Sequence, residues 1–419
     1  MVDPEISRSS CGVNRLHDDV RPGPRESGSR SLSAARHPTE RRRNVFLAVL
    51  DIRYAKGRFA LMGGVVALIT LLLVMLSGLT AGLGDQSTSA IARLGAVSSA
   101  GVPPMAVDTI VFGAPGTSEP KASFTESEIS ADQVETWKNA PGVQAAEPLG
   151  ISQSRLQAVT GGSGAGTANV AVFGVAPGGG LAPSDVGADT VVIGRAVATA
   201  LSLGVGDTAR VGGIDLTVSA VVDDQWYSHT SVVWTALPTW SRLAHVSSPG
   251  QLATVAAVTY QNGAAVDEAA ANAAAHTVSA SRTGSFQALG SYKSENGSLT
   301  LMQGFLYGIS ALVIVAFLTV WTVQRTRDIA VLKAMGASAG YLLRDALAQA
   351  AIVLLAGAGL GGVVGVLGGL VAATAAPFLI TPATTLLPVV GIIALGLAGA
   401  ALAVRQVTKV DALIALGGN

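Results

Sequence analysis

FALMGGVVALITLLLVMLSGLTAGLG, residues 59–84, contains no Asp, Glu, Lys or Arg over 26 residues. A helix needs roughly 20 apolar residues to cross about 30 Å of hydrocarbon, so this run predicts one membrane span. Two further runs share the property. Residues 296–324 are charge-free over 29 positions, with an apolar body from Leu301 to Val323, and residues 346–404 are charge-free over 59. The second run holds one span and the third holds two. Proline ends or kinks a helix, so Pro377, Pro382 and Pro388 are expected to supply the break, with spans near Leu347–Ala373 and Leu386–Val404. A buried helix of a soluble protein is the bland alternative for any one run. The whole chain of 419 residues argues against it, being 49% hydrophobic and 13% charged, against about a quarter charged in ordinary soluble domains. The same composition excludes a disordered chain and a nucleic-acid-binding one. A single cysteine, Cys11, excludes an internal disulfide framework and a Cys-rich metal site.

Four spans put both ends of the chain on one side, and the basic residues say which. Arg41, Arg42, Arg43, Arg53, Lys56 and Arg58 precede the first span. Arg325, Arg327, Lys333 and Arg344 lie between the second and third, and Arg405 and Lys409 follow the fourth. The connection between the third and fourth spans has no charge. By the positive-inside rule the termini and the loop 325–345 are cytoplasmic. The segment 85–295 is then outside. It carries nine basic and seventeen acidic residues, a net of −8, and the remainder carries +8. The overall neutrality is the cancellation of two opposite halves, and the acidic outer segment favours basic or cationic ligands.

Seven segments follow: a tail (1–44), an interfacial helix with the first span (45–84), an outer domain (85–295), the second span (296–324), a cytoplasmic loop (325–345), the third and fourth spans (346–404) and a cytoplasmic tail (405–419). The Ser-, Arg- and Pro-rich first segment cannot bury a core. It reads as a disordered tail or as the product of an upstream start, the native start being at Val45. An N-terminal peptide from residues 1–43 of the native protein would exclude the second option. Val45, Val49 and Ile52 recur at helical spacing among Asp51, Arg53 and Lys56, which predicts a helix lying along the inner leaflet. The alternative is the N-terminal end of the first span.

In the outer segment, Thr190–Gly194, Thr208–Val211, Ile214–Val222, Asn169–Val175 and Val255–Tyr260 read as strands. Arg195–Leu203 and Ser130–Ala140 read as short helices, Gly204–Asp207 as a turn and Gly161–Gly166 as a flexible loop. The fold class predicted is therefore a membrane protein of four transmembrane α-helices, with an extracytoplasmic α+β domain of one or two lobes inserted between spans one and two. The segment is poor in recognisable chemistry. His229, His245 and His276 lack metal-ligand spacing, so no metal site is expected, and there is no nucleophile elbow or zinc-protease motif. Asp223-Asp224 reads as a solvated turn. Trp226, Tyr227, Trp234 and Trp240 read as a structural mini-core, with a ligand or partner surface as the alternative.

Gly357-Ala-Gly-Leu-Gly-Gly matches a dinucleotide-binding pattern formally, but no strand precedes it. Gly357, Gly361, Gly365 and Gly369 recur every fourth residue instead, which predicts a small-residue seam packed on another transmembrane helix. No Gly-x4-Gly-Lys-Ser/Thr sequence occurs, so the chain is not expected to be an enzyme. If ATP is used, another chain hydrolyses it.

The sharpest segment is 324–345, QRTRDIAVLKAMGASAGYLLRD. Ile329, Leu332 and Met335 fall on one helical face, Gly336 can stop that helix, and Ser338 can cap the next. The bland reading is a solvated loop helix that only satisfies topology. The stretch Arg325 to Ser338 resembles the Arg-x-(Glu/Asp)-Ile-Ala-Val-Leu-Lys-Ala-(Leu/Met)-Gly-Ala-Ser stretch of the FtsX-like permeases, the MacB/LolC/LolE/FtsX group of ABC systems. Asp328 is a shorter acid than the family's usual Glu. The order of one span, a large outer domain and three spans also matches. So does Val191-Val-Ile-Gly followed by Ala-Leu-Ser-Leu-Gly-Val-Gly-Asp207, with Leu216-Thr-Val-Ser after it. Asp51 to Phe59 is similar to the opening helix of actinobacterial and cyanobacterial members. The resemblance covers residues 45–419 and specifies the family rather than a subfamily.

The resemblance implies a bacterial plasma-membrane permease, two copies of which sit on a dimer of a separate ATPase that holds ATP and Mg. The chain itself would need no cofactor. Its loop helix would dock on that ATPase, with Arg325, Arg327, Asp328 and Lys333 as polar contacts, Ile329, Leu332 and Met335 as apolar anchors and Gly336 as the stop. ATP-driven motion would reach the outer domain through the stalks, a mechanotransmission with no nucleic-acid partner. Two functions compete. One exports or extracts an amphipathic lipid, lipoprotein, peptide or drug. The other transmits a signal to an extracellular partner such as a cell-wall hydrolase. A membrane-anchored enzyme or receptor needing no ATPase is the third, most distant reading.

Overall fold

The computed structural model describes residues 56–96, 106–159, 166–246, 248–324, 326, 330, 331 and 334–408. The tail at 1–44 and most of the expected interfacial helix lie outside these residues. Lys56–Arg58 form the first turn of α1 (Lys56–Ala92). The outer domain follows, with β1 (Thr109–Phe112), β2 (Ile129–Ser130), α2 (Ala131–Lys138), β3 (Val143–Ala158), β4 (Thr167–Val175), β5 (Thr190–Gly194), α3 (Arg195–Leu201), β6 (Thr208–Val211), β7 (Ile214–Val222), β8 (Trp226–Tyr227), β9 (Thr230–Ala236), α4 (Leu237–Leu243), β10 (Gln251–Ala253), β11 (Val255–Tyr260), α5 (Glu268–Ala275), β12 (Val278–Ser281) and a 3-10 turn, Gly284–Ala288. Three long helices complete the chain, α6 (Gly290–Gln324), α7 (Ala339–Ala372) and α8 (Pro382–Thr408). Helices α1, α6, α7 and α8 each contain a window long and apolar enough to cross a membrane.

The helix bounds differ from the charge-free runs in an informative way. Helix α1 does not stop at Gly84 but continues to Ala92, and α6 begins at Gly290 rather than 296. At 1.5 Å per residue, the 37 residues of α1 reach about 55 Å, well beyond the hydrocarbon. Hydropathy reports only the part in lipid. The break between the last two spans is Ala373–Thr381. Pro382 opens α8, where its missing N–H costs nothing, and Pro388 lies inside that helix rather than in the break.

Strand β3 organises the outer domain. Its first half pairs with β11, and β1 and β12 extend that antiparallel sheet. Its second half pairs with β4, and the order continues through β9, β5, β7 and β6. Strand β6 then pairs back onto β3 at Leu156↔Val211, closing six strands into a ring. One core fills the ring and continues under α2 and α5, with Leu156, Val172, Val191, Val211, Val218 and Trp137 among its residues. A capping box at Ser130 and Gln133 starts α2. A second core lies on the other face and contains Phe112, Leu149, Phe173, Trp234 and, from the end of the membrane helix and the turn after it, Ala90, Ile91 and Leu94. The outer end of α1 is therefore core material of the outer domain.

The Asp223-Asp224 pair is structural. Asp224 Oδ1 accepts the Ala196 N–H at 2.8 Å, supplying the anion that Gly194 cannot offer at the start of α3. Asp223 pairs with Arg195 at 2.8 Å in solvent. Three of the four clustered aromatics, Tyr227, Trp234 and Trp240, are buried core residues.

Glu147 on β3 is half-buried. Its Oε1 accepts the Gly180 N–H at 3.3 Å, while Oε2 is buried with no hydrogen-bond partner among the described residues. Burial raises its carboxyl above the usual range, and the Gly180 bond offsets that only in part. The folded chain thus holds this proton more tightly than the unfolded chain. The ionised carboxylate costs stability that sets in as pH rises through the raised value. Glu147→Gln keeps an acceptor for Gly180 and is expected to raise the unfolding temperature at pH 7. The gain should shrink as pH falls into the ordinary carboxylate range, which a pH series of thermal melts would check.

Candidate coupling site

Six of the eight residues expected to couple lie outside the described residues, namely Arg325, Arg327, Asp328, Ile329, Leu332 and Lys333. Its end is described. Met335 N–H reaches the Val331 carbonyl at 3.0 Å, and the Met335 side chain is 72% exposed. Gly336 follows at φ +95°, a left-handed conformation that stops a helix and suits glycine. Ser338 then caps α7, its Oγ accepting the Tyr341 N–H at 3.2 Å. A large, exposed thioether side chain therefore stands just before the helix stop.

The glycine seam faces α1. A Cβ on Gly357 would stand 2.7 Å from the Gly63 carbonyl oxygen, and one on Gly361 would collide with the Ala67 carbonyl. At Gly365 it would meet Val74 at 2.9 Å. Gly369 differs, because its neighbour is the ring of Phe378 in the connection between α7 and α8. That ring also covers Gly78 of α1, and Leu379 N–H donates to the Gly78 carbonyl at 3.0 Å. The stripe thus packs α7 onto α1 over three glycines and seats a turn at the fourth. Helix α6 closes the bundle with Ser310, Ile314, Leu318 and Thr322, buried every fourth residue.

Where membrane and outer domain meet, three elements are tied by polar contacts that the sequence reading missed. The hairpin β8–β9 turns at Ser228 and His229, both in left-handed backbone (φ 48° and 62°). Consecutive left-handed residues make the tight turn that matches strand twist. Ser228 N–H donates to the Ser87 carbonyl at 3.1 Å, His229 N–H to Gln86 at 3.0 Å, and Trp226 N–H to Ser89 Oγ at 2.9 Å. These three acceptors lie on α1. On the other side, His229 Nε2 lies 2.9 Å from Glu295 of α6 and 3.1 Å from Ser87 Oγ, and the hydroxyls of Ser228 and Ser291 are 3.1 Å apart. Lower down, Gln303 Nε2 of α6 donates to Thr80 Oγ1 of α1 at 3.0 Å. The same imidazole nitrogen meets both Ser87 and Glu295, so this is no nucleophile–base relay. It is a clasp. Behind the turn, Tyr227 continues an edge-to-face series of rings, Phe112, Phe124, Tyr227, Phe173 and Trp234, with centroids 5.0–5.9 Å apart. Burial raises the Tyr227 phenol far above its ordinary value, so it stays protonated. No sequence signal joins His229 to partners 142 and 66 residues away. Beside the clasp, a cavity of about 360 Å³ opens between α1, α6 and α8, lined by Ser77, Thr80, Asn296, Gln303 and Thr384.

Comparison with known proteins gives the class. A family model of the MacB-like periplasmic core domain matches residues 59–276, more than half the chain, and one of the FtsX-like permease C-terminal region matches 284–412. The chain belongs to the family of MacB-like, FtsX-like membrane permeases. It is a multi-pass membrane protein with four spans and an extracytoplasmic α+β domain between the first two. A Staphylococcus epidermidis protein named for a hemin transport system permease, HrtB, is 32% identical over 131 residues, 31% of this chain and 37% of that protein. The chain thus spans little more than a third of that relative's length. An uncharacterised ABC transporter permease of Mycobacterium tuberculosis, Rv2563, is 24% identical over 395 residues, 89% of this chain and 99% of that one. The periplasmic region of MacB from Actinobacillus actinomycetemcomitans, at 12% identity, covers 46% of this chain and 92% of its own, with a TM-score of 0.31.

Two outcomes are expected. His229→Ala should loosen the turn's hold on α6, leaving the Ser228–Ser291 contact, at a cost of about 1 kcal/mol, since the side chains are partly exposed. Hydrogen exchange should rise at Ser228 and His229 while β9 stays protected, and unchanged exchange would mean that the imidazole holds nothing. Gly361→Leu should destabilise the bundle by about 1–3 kcal/mol or more and lower its melting temperature in detergent. Gly359→Leu, where a Cβ meets nothing within 4 Å, should not.

Proposed function

We propose that the chain is the permease subunit of an ABC system, coupling ATP hydrolysis by a separate ATPase to motion of its outer domain. In this reading the termini and the 325–345 loop are cytoplasmic, two permeases assemble on an ATPase dimer, and ATP and Mg stay on that partner. The output is export or extraction of an amphipathic substrate such as a lipid, lipoprotein, peptide or drug.

One observation carries the proposal. Helix α6 ends at Gln324, directly before the loop, and its other end holds Ser291 and Glu295 against the turn of β8–β9. A displacement at the loop therefore has an unbroken helix, about 52 Å long at 1.5 Å per residue, along which to reach the outer domain. Helix α1 offers a second such rod whose end is outer-domain core. An amphipathic molecule could reach the cavity between α1, α6 and α8, whose lining mixes Thr80, Asn296 and Gln303 with Ala81 and Leu387, from the outer leaflet without crossing a pore. Hemin, for which the staphylococcal relative is named, falls in the amphipathic class but carries two carboxylates. The net −8 of residues 85–295 opposes its capture by the outer domain.

The charge-free span windows favour keeping the signalling reading beside this one. They hold no ionisable residue to mark an ion or solute path, and the same rods would serve to activate an extracellular hydrolase.

The decisive measurement is co-purification of the tagged chain from its native membrane, with mass spectrometry of what accompanies it. A stoichiometric ABC-type ATPase is expected, and recovery of the chain alone would overturn the proposal. Leu332→Asp with Met335→Asp should remove the ATPase at least tenfold while leaving membrane insertion intact. Unchanged recovery of the ATPase would refute docking through this loop.

A further inference from the structure

The cavity beside the clasp lies between two polar helix faces. On α1, Ser77, Thr80 and Gly84 follow at three- and four-residue spacing. On α6, Tyr292, Asn296 and Gln303 stand four and seven apart, so each set shares one face of its helix. The two faces line a space of about 360 Å³, at the lower end of the range for small-molecule sites. Each of these six residues is partly exposed rather than buried. Asn296 and Gln303 are about 10 Å apart along the helix axis. The cavity therefore runs from above the apolar body of α6 to its first turn.

Its polar groups have open hydrogen-bonding capacity. Hydroxyls inside membrane helices commonly bond to the carbonyl four residues back, as Thr70, Thr80, Ser310 and Thr319 do. Ser77 makes no such bond. Among the described residues, neither its hydroxyl, the Asn296 amide nor the Tyr292 hydroxyl has a hydrogen-bond partner. Gln303 Nε2 donates to Thr80 Oγ1 at 3.0 Å, while its Oε1 is open. Lipid tails supply no partner for such groups.

The lining is also uncharged. No Asp, Glu, Lys, Arg or His contributes to it. Glu295, beside Asn296 in the chain, has its carboxylate on His229 at 2.9 Å, and Asp85, beside Gly84, pairs with Arg93 at 3.2 Å. A phosphate or an ammonium finds no counter-charge in the lining. Beneath the cavity, the Tyr307 ring of α6 lies 3.1 Å from where a Cβ on Gly391 of α8 would stand, so these two helices close the floor. At the side, Leu387 borders the space and is 69% exposed, and Leu386, Met302 and Phe305 are exposed on the same two helices.

We propose that this cavity binds the uncharged, polyhydroxylated headgroup of a membrane lipid. A hydroxyl both donates and accepts, so a sugar-like ring meets the Ser77 and Tyr292 hydroxyls, the Asn296 amide and Gln303 Oε1 together. The acyl chains stay among the exposed apolar residues of α6 and α8. The inference rests on the amphiphile reading above for what the bound lipid serves. The binding itself is measured on the permease without an ATPase, so failure of the one is distinguishable from failure of the other.

The test is native mass spectrometry of the full chain in a polyoxyethylene detergent, which carries no sugar. The probes are monogalactosyl dioleoylglycerol, dioleoylphosphatidylglycerol and dioleoylphosphatidylcholine. The galactolipid should bind at least fivefold more tightly than either phospholipid, and methyl β-galactoside in tenfold excess should not displace it. Ser77→Ala with Asn296→Ala removes open groups without breaking an internal bond. It should abolish that preference and leave phospholipid binding unchanged. Gly84→Leu keeps every hydrogen-bonding group and fills the space, since a Cβ there meets Tyr292 at an ordinary 3.6 Å. It should abolish the preference as well. Equal binding of the three lipids, displacement by the free sugar, or a preference unmoved by either variant would each overturn the site.

Discussion

The structure depends on one continuous object, the 37-residue helix α1, whose inner part is lipid-soluble and whose outer end is the core of another domain. A helix satisfies all its internal backbone hydrogen bonds and can pass from hydrocarbon to protein without exposing any. A loop at the membrane surface would have separated the two domains mechanically. Here Ala90, Ile91 and Leu94 are fully buried among Phe112, Leu149 and Trp234. Moving α1 without moving the outer domain would uncover that apolar surface, at about 25 cal/mol for each Å². The rigid connection is hydrophobic, and the polar clasp beside it ties the β8–β9 turn to both α1 and α6.

The glycine seam serves the same rod. In lipid no hydrophobic force draws helices together, so close approach of backbones and dispersion must do so. Gly357, Gly361 and Gly365 let α7 approach α1 at the level of its carbonyls, and Gly78 and Gly82 on α1 accept the turn 377–379. Helix α1 is thus gripped along one side by α7 and at its outer edge by Phe378. Helix α6 meets it through Gln303–Thr80 and through the clasp. A lever needs support at some points and freedom at others. The exposed apolar residues of α6, among them Phe305, Ile309 and Leu312, leave that helix the less enclosed of the two.

What was legible in the sequence follows from which forces are local. The four spans were readable because excluding charge from lipid acts on every residue of a run. Strands β5, β6 and β7 were readable because their β-branched runs are bounded by Gly204–Asp207 and Gly212-Gly213. The longest strand, β3, was not. Glu147, Pro148 and Gly150 break its pattern, and two of them answer to a neighbour distant in sequence, Gly180 for the glutamate and Trp240 for the glycine. The outer end of α1 was lost for a related reason. Residues 85–89, Asp-Gln-Ser-Thr-Ser, look like the end of a span, yet Ser87, Thr88 and Ser89 are buried, their hydroxyls bonded to the hairpin or back into the helix. The seam was visible as a four-residue repeat, but the repeat cannot distinguish a helix partner from a phenylalanine ring.

The same distinction orders the functional reading. The loop motif is local, and Gly336 and Ser338 fix where its helix stops and where α7 begins. The clasp is non-local, and its chemistry is internal. His229 is held by a left-handed turn that any repacking of β8 and β9 would move, and its two partners sit on different membrane helices. Relative sliding of α1 and α6 along their axes must therefore either stretch contacts of about 3 Å, which have little length to give, or carry the turn with them. The turn in turn carries Tyr227, which touches both Phe124 and Phe173. Tyr227, Phe124 and Trp240 also border a cleft of about 620 Å³ in the outer domain, each ring itself buried. The turn thus joins the facing surfaces of two membrane helices to the ring series inside the outer domain.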